Sequence, residues 1–275
     1  MPDHPPYRSP SVLDADQKRV HDELVAIVAD PSRCWESYCA LPESHSGKVI
    51  NIDIFRDLHP EYHGSGDDRR RRRTHLTPAT YAPAKQASRE WYAQRVAELE
   101  PGSILFTGGG PASGKTRSML DNFGDYLASV DLVMDTSLTD IEEAQRQIAL
   151  ATEHGHVVVV AWIYRPFAKA VQSMIERACS DGRYITLERM ATLHRGSKEA
   201  FLSLAKSSRS SDHFSIRCLL NAYEDGLTGR CELDDVIPLV TLDMQRTDRH
   251  AAELAFNDYC KDHAVPEDLS ERLFD

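Results

Sequence analysis

A glycine-rich segment followed by lysine and threonine has the residue types and spacing best suited to chemistry. Residues 104–117 read Ile-Leu-Phe-Thr-Gly-Gly-Gly-Pro-Ala-Ser-Gly-Lys-Thr-Arg. The apolar residues predict a buried strand over 103–107, and a helix is predicted to begin at Lys115. A Gly-x-x-x-x-Gly-Lys-Thr sequence between a strand and a helix is typical of loops that wrap backbone N–H groups around a triphosphate. The segment therefore predicts a nucleotide site.

The loop residues have separate expected roles. Lys115 is expected to reach the β- and γ-phosphate oxygens of ATP, and Thr116 to place its hydroxyl on Mg²⁺. The alternative, a glycine-rich turn that matches by chance, is disfavoured by the strand and helix on either side. ATP and Mg²⁺ are therefore the expected cofactors. The expected ATP-binding residues are Gly109, Gly110, Pro111, Ala112, Ser113, Gly114, Lys115 and Thr116.

Composition narrows the class of protein. The 275 residues are 41% hydrophobic and 27% charged, which is typical of a globular chain. A formal net charge of -11 argues against nucleic acid as a general partner. The six cysteines show no Cys-x-x-Cys spacing, and neither a secretory signal nor an apolar run of membrane-spanning length is found. We therefore expect a cytoplasmic protein with reduced thiols, or one delivered into a target cell.

Predicted strands and helices alternate along the chain. This alternation predicts an α/β fold like that of P-loop NTPases, with a mainly parallel central sheet, helices on both faces and ligands at the carboxyl ends of the strands. Strands are predicted at 48–53, 103–107, 131–135, 156–163 and 237–242. The predicted organisation is a disordered terminus over 1–10 and one domain over 11–275, with a helical part at 11–47, an arginine-rich loop within 61–75, and a strand and helices over 207–275.

A phosphate loop alone does not choose among kinases, GTPases and other ATPases. Asp53 and Asp135 each end a predicted strand, where a magnesium-linked acid would lie. The sequence has no Asn-Lys-x-Asp motif, which disfavours a GTPase. Arg177 and Arg183 follow the fourth predicted strand. Arginines in such positions favour phosphoryl transfer, because charge spreads over phosphate oxygens that the loop lysine does not reach.

Three segments together resemble the zeta toxin kinases of epsilon/zeta toxin–antitoxin systems. They are the phosphate loop, the segment 175–183 with its two arginines, and the segment 53–60, Asp-Ile-Phe-Arg-Asp-Leu-His-Pro. The following His75-Leu76-Thr77-Pro78 is similar to a substrate-side element of the family. The resemblance spans about residues 48–195. It implies that Arg177 and Arg183 grip the transferred phosphate and that the segment beginning at Asp53 is catalytic.

The order of the segments differs from that of the family. In zeta kinases the Asp-x-Phe segment follows the phosphate loop, whereas here it precedes the loop. Asp53 is favoured as the base because Phe55 and His59-Pro60 accompany it. Asp135 lies near where an unpermuted family member would place its base. We then expect Asp135 to orient the acceptor or a magnesium-bound water.

The resemblance implies transfer of the γ-phosphate of ATP to a hydroxyl of a small nucleotide-type acceptor. Zeta kinases use UDP-N-acetylglucosamine, and a related branch uses NAD. The expected substrate-binding residues are Asp135, His75, Tyr81 and Lys85, although a solvated helix face is an equal reading of the last two. A cognate antitoxin is the implied protein partner. Two alternatives stay open: a regulatory or assembly ATPase without a small acceptor, and a nucleic-acid-end kinase, which the run Arg69–Arg73 motivates.

Overall fold

The structure, a computed structural model, describes residues 13–64, 68–222 and 227–274. The chain divides into two compact units, and this differs from the one domain that the sequence predicts. Unit 1 comprises Met1–Gln94 and Ser180–Arg183, and unit 2 comprises Arg95–Cys179 and Tyr184–Asp275. The predicted disorder of residues 1–10 lies outside the described residues.

Unit 1 is mainly helical, and its elements begin at recognisable caps. Asp14 accepts a hydrogen bond from the backbone of Gln17 at the first helix, and Asp30 caps the second in the same way. Aromatic side chains form its interior, where the rings of Tyr38 and Phe55 stack with centroids 4.1 Å apart. The elements are α1 (Ala15–Val28), α2 (Pro31–Ala40), a 3-10 turn (Pro42–Ser44), β1 (Val49–Asn51), α3 (Ile52–Arg56), α4 (Pro60–His63) and α5 (Asp68–Glu98), whose last turn enters unit 2.

The arginine-rich segment is helical, so the predicted loop at 61–75 is wrong over residues 61–63, which belong to α4, and again from residue 68 onward. Arg69–Arg73 form the first turns of α5, and arginine is a good helix former. Arg72 forms ion pairs with Asp16 and Glu61, and Arg73 forms one with Asp57. Neighbouring acids therefore neutralise part of the charge of this run. These pairs also weaken the motive for a nucleic-acid partner.

Unit 2 carries the sheet and the phosphate loop. Its strands run in the order β3-β2-β4-β5-β6; β3, β2, β4 and β5 are parallel, and β6 is antiparallel to β5. The mainly parallel α/β fold predicted from the sequence is confirmed. The elements are β2 (Ser103–Gly108), α6 (Lys115–Ser129), β3 (Leu132–Asp135), α7 (Ile141–Glu153), β4 (Val157–Tyr164), α8 (Phe167–Asp181), α9 (Leu187–Ser208), β5 (Phe214–Ala222), β6 (Leu227–Cys231), α10 (Leu233–Gln245), α11 (Arg249–Tyr259) and α12 (Glu267–Phe274).

The predicted last strand, 237–242, is wrong because this segment belongs to helix α10. Its β-branched, apolar composition is typical of a buried strand. In the structure only Val236 and Val240 of the helix are buried, and Leu242 is exposed. Two buried residues four apart lie on the same face of a helix. The last strands are instead β5 and β6, which the sequence reasoning missed.

Strand β2 places the phosphate loop at the carboxyl edge of the sheet. Ile104, Leu105 and Phe106 are completely buried, although successive side chains of a strand point to opposite faces. Both faces of β2 are therefore covered, as expected for a central parallel strand. No helix among the described residues combines the length and apolar character needed to cross a lipid bilayer.

Candidate functional site

The loop between β2 and α6 has backbone conformations that require its glycines. Gly109 and Gly114 have φ angles of +124° and +78°, in the region that side chains disfavour. A Cβ atom on Gly109 would lie 2.5 Å from the carbonyl oxygen of Ile163 at the end of β4. The chain therefore turns tightly around the end of the sheet before α6 begins. The predicted strand–loop–helix arrangement is confirmed.

Lys115 and Thr116 lie in the first turn of α6. The Lys115 amine donates hydrogen bonds of 3.2 Å and 3.3 Å to the carbonyl oxygens of Gly109 and Gly110, so its side chain lies against the loop. Thr116 is exposed at the same helix end. A flexible amine, a helix N-terminus and a nearby hydroxyl suit a triphosphate with Mg²⁺, which takes oxygen ligands largely from substrate phosphates. The residues present fit both expected cofactors.

Asp135 is the acidic residue next to the strand that leads into this loop. It ends β3, where it lies opposite Thr107 of β2 in parallel register. The Thr107 hydroxyl donates a 2.6 Å hydrogen bond to the Asp135 carboxylate, and the backbone N–H of Thr136 donates to that hydroxyl. Unit 2 thus holds an oriented carboxylate at the sheet edge that carries the phosphate loop.

Asp53 lies in the first turn of the short helix α3 and not at the end of a strand. Strand β1 ends at Asn51, whose side chain accepts a 2.6 Å hydrogen bond from the backbone of Asp53. Asn51, and not Asp53, is therefore the helix cap. The two carboxylate oxygens of Asp53 contact different arginines: Arg56 at 3.0 Å and Arg183 at 3.2 Å. The side chain keeps 37% of its surface exposed.

Arg56 is buried, and hydrogen bonds, an ion pair and an aromatic ring fix its position. Its guanidinium donates to the hydroxyl groups of Thr80 and Thr77 at 3.0 Å and 3.1 Å. It also lies over the ring of Tyr62, 4.4 Å from the centroid. A buried guanidinium with its donors satisfied by hydroxyl and carboxylate groups has little freedom to move. Arg56 therefore fixes one oxygen of Asp53.

Arg183 fixes the other oxygen of Asp53 from a segment 130 residues away. Its Nε and Nη2 contact Asp181 at 2.8 Å and 2.7 Å. Burial opposes the charge of Arg183, but Asp53 and Asp181 outweigh burial and raise its pKa above the ordinary value. Gly182, with a φ of +82°, makes the turn between the two, and a Cβ atom there would collide with the Arg70 carbonyl. Two predicted catalytic residues, Asp53 and Arg183, are thus in direct contact.

The remaining predicted site residues have less specific surroundings. Arg177 lies half-buried on α8, and Tyr81 and Lys85 lie half-buried on α5. The ring of His75 contacts Asp16 at 3.1 Å, and so ties α5 to α1. Roles for these residues in gripping phosphate or binding substrate stay predictions.

Two residues that sequence reasoning missed hold the phosphate loop from outside. The Nε2 of buried His194, on α9, lies 2.7 Å from the carbonyl oxygen of Pro111. The Nδ2 of Asn221, at the end of β5, donates a 2.7 Å hydrogen bond to the carbonyl of Ser113. These contacts join residues 83 and 108 positions apart. Sequence motifs span only a few neighbouring residues, so they do not predict these two contacts.

The pKa of His194 predicts a pH dependence of stability. Burial first, and then the charge of Lys198, lower this pKa from 6.5 to about 3, and the charge of Lys115 acts in the same direction. The unfolded chain therefore binds one more proton between these two pH values. Stability from the neutral ring is complete above about pH 6.5 and is lost as the pH falls towards 3. The expected loss is about 1.4 kcal/mol per pH unit.

Urea denaturation at pH 7 and pH 5 tests this expectation. Wild type should lose about 2 kcal/mol more unfolding free energy between these pH values than His194→Gln, which has no imidazole. His213→Gln is the control, because His213 is exposed. Equal losses in wild type and His194→Gln would show that the buried ring is not the titrating group.

The comparisons with known proteins give one family. The model described as Zeta toxin matches residues 117–217. This range includes Asp135, Arg177 and Arg183, whereas the phosphate loop and the Asp53 segment precede it. The resemblance to the zeta toxin family is confirmed over these residues. No curated protein matches the chain significantly.

Two solved structures are similar to the chain at low sequence identity. One is the crystal structure of the AvrRxo1-ORF1:-ORF2 complex, with 12% identity, a TM-score of 0.45, and coverage of 74% of this chain and 88% of that chain. The other comes from the PezAT chromosomal toxin–antitoxin system of Streptococcus pneumoniae, with 11% identity, a TM-score of 0.39, and coverage of 93% and 100%.

Proposed function

We propose that this chain, which matches the Zeta toxin family over residues 117–217, is a kinase that uses ATP to phosphorylate a hydroxyl of a small nucleotide-type acceptor. A sugar nucleotide like UDP-N-acetylglucosamine, or NAD, is the acceptor class that the family resemblance implies. Proteins of this family are kinase-like toxins, and we propose that this chain acts as a toxin or effector.

The proposed mechanism assigns one task to each residue. Lys115 neutralises the β- and γ-phosphate oxygens, and the Thr116 hydroxyl would hold magnesium, which would offset phosphate charge. Asp53 orients the acceptor hydroxyl and takes its proton. Arg177 and Arg183 stabilise the charge that spreads over the transferred group. Asp135 orients the acceptor or a magnesium-bound water.

The contact between Asp53 and Arg183 is the observation that carries the proposal. A base acts on the attacking hydroxyl, and a phosphate-stabilising arginine acts on the group under attack, so the two must lie close together. The 3.2 Å ion pair joins the proposed base, Asp53, to a proposed phosphate-stabilising arginine, Arg183. An ATPase that phosphorylates no acceptor needs no base for an acceptor hydroxyl.

Incubation with γ-labelled ATP and a panel of acceptors tests the proposal. The panel contains UDP-sugars, NAD, nucleosides and oligonucleotide ends. A labelled sugar nucleotide or dinucleotide is expected. Labelled oligonucleotide ends would instead support a nucleic-acid-end kinase, and labelled inorganic phosphate alone would support an ATPase.

A cognate antitoxin is the proposed protein partner. The support is the match to the Zeta toxin family model, because family members act in toxin–antitoxin pairs.

Expression of the chain alone is expected to arrest growth of a bacterial host, and Lys115→Met is expected to relieve the arrest. Equal arrest by both proteins would show that toxicity does not depend on phosphoryl transfer.

A further inference from the structure

We propose that His194 and Asn221 are positioning residues that turn two backbone N–H groups of the phosphate loop, those of Ala112 and Gly114, towards the bound phosphates. This inference rests on the proposed binding of ATP to the loop. It deepens that proposal, because neither residue belongs to the glycine-lysine motif and each reaches the loop from another part of unit 2.

The geometry of the peptide bond carries the first step. In a trans peptide the carbonyl oxygen and the following N–H point in opposite directions. The peptide after Pro111 contains the N–H of Ala112, and its carbonyl is held by His194. The peptide after Ser113 contains the N–H of Gly114, and its carbonyl is held by Asn221. The N–H of Ala112 therefore points away from the His194 ring, and the N–H of Gly114 points away from the Asn221 amide.

The orientation of His194 is fixed by its surroundings. The ring is buried and packs edge-on against Phe167, with centroids 5.2 Å apart. A carbonyl only accepts hydrogen bonds, so Nε2 carries the proton. One turn further along α9, the amine of Lys198 lies 2.8 Å from the carboxylate of Asp243. The His194 ring thus donates from Nε2, and its packing against Phe167 fixes its orientation.

Two glycines of the loop lie where the side chains of His194 and Asn221 approach it. A Cβ atom on Gly110 would collide with the His194 ring, and a Cβ atom on Gly114 would collide with the Asn221 amide. The backbone of Gly110 has no positive φ in the structure. Position 110 is therefore glycine because the His194 ring lies too close for a Cβ atom.

Asn221 is itself tied to the sheet edge. Its backbone carbonyl accepts a 3.2 Å hydrogen bond from Arg165, whose guanidinium also donates to Ser173 on α8. Arg165 follows β4, and Asn221 lies near the end of β5, which pairs with β4 in parallel. The amide that holds Ser113 is therefore anchored to the same sheet edge as the loop.

Calorimetric titration with ADP and MgCl₂ tests the inference without any acceptor. Asn221→Asp replaces the amide donor with a carboxylate that faces a carbonyl, and His194→Leu removes the ring donor. Each is expected to weaken ADP binding at least about tenfold, which corresponds to about 1.4 kcal/mol. His194→Gln keeps an N–H donor and is expected to recover most of the affinity. Asn257→Asp, on exposed surface of α11, controls for the added charge.

The outcomes separate this inference from the proposed function. Folded Asn221→Asp and His194→Leu proteins with wild-type ADP affinity would overturn the inference and leave kinase activity intact. Wild type without affinity for ADP or ATP would overturn both. If His194→Leu does not fold, Asn221→Asp decides, because Asn221 is only half-buried. In steady-state kinetics, KM for ATP is expected to rise while KM for the acceptor is unchanged, which a general loss of structure would not produce.

A double-mutant cycle tests the contact with Gly110. Gly110→Ala is expected to weaken ADP binding because the new methyl group collides with the His194 ring. In a His194→Ala background the same change should cost less, since the ring is absent, and the two effects should not add. Additive effects would show that the ring does not press on the loop.

Discussion

Lys115→Met is expected to lower the rate of phosphoryl transfer by about 10²- to 10³-fold or more. The substitution keeps a long, flexible side chain but removes the cation that neutralises phosphate oxygens. The Lys115 amine contacts the carbonyls of Gly109 and Gly110, so it lies against the loop. The measurement is the initial rate with labelled ATP and the acceptor found in the panel.

Two further variants make the Lys115 test specific. Lys18→Met is the matched control, because Lys18 is exposed on α1 and pairs only at the surface with Asp22; its rate should equal that of wild type. Lys115→Arg keeps the charge but replaces a compact ammonium with a larger planar group, and is expected to stay slow. Transfer by Lys115→Met at the wild-type rate would remove the loop from the mechanism.

The phosphate loop is the part of the site that the sequence predicts most fully. Its constraints are local: a buried strand, glycines for the turn and a helix that starts at Lys115. Short-range patterns of this kind are visible in one sequence, because every participant lies within a few residues. The Asp53 segment is predicted less fully: the sequence predicts a strand up to Asp53, whereas Asn51 caps α3 and Asp53 lies in the first turn of that helix.

The remaining contacts depend on pairings between distant segments. Arg183 reaches Asp53 across 130 positions, and Asn221 reaches the loop across 108. The ion pairs of the arginine run are not visible in the sequence for the same reason, since the Arg72 partner Asp16 lies on α1. For α10, the apolar run matched strand and helix periods alike, and only tertiary burial of one face decided between them.

Asp53→Asn is expected to lower the rate of phosphoryl transfer by about 10²- to 10⁴-fold, the usual contribution of a general base. The amide has nearly the same shape but accepts no proton, and it keeps an acceptor oxygen for only one of the two arginines that contact Asp53. Because binding of ATP does not need this carboxylate, the affinity for ADP should stay close to that of wild type. Asp22→Asn on the exposed face of α1 is the control.

Asp135→Asn decides between the two acids. The Asp135 carboxylate accepts a hydrogen bond from the Thr107 hydroxyl beside the phosphate loop. This position suits an acid that orients magnesium-bound water or the acceptor. Its loss should therefore alter the dependence of the rate on magnesium concentration, whereas loss of Asp53 should not. If Asp53→Asn retained full transfer while Asp135→Asn abolished it, the base would be Asp135. The two arginines around Asp53 would then hold a structural ion-pair cluster, and the resemblance of residues 53–60 to a catalytic segment would carry no chemistry.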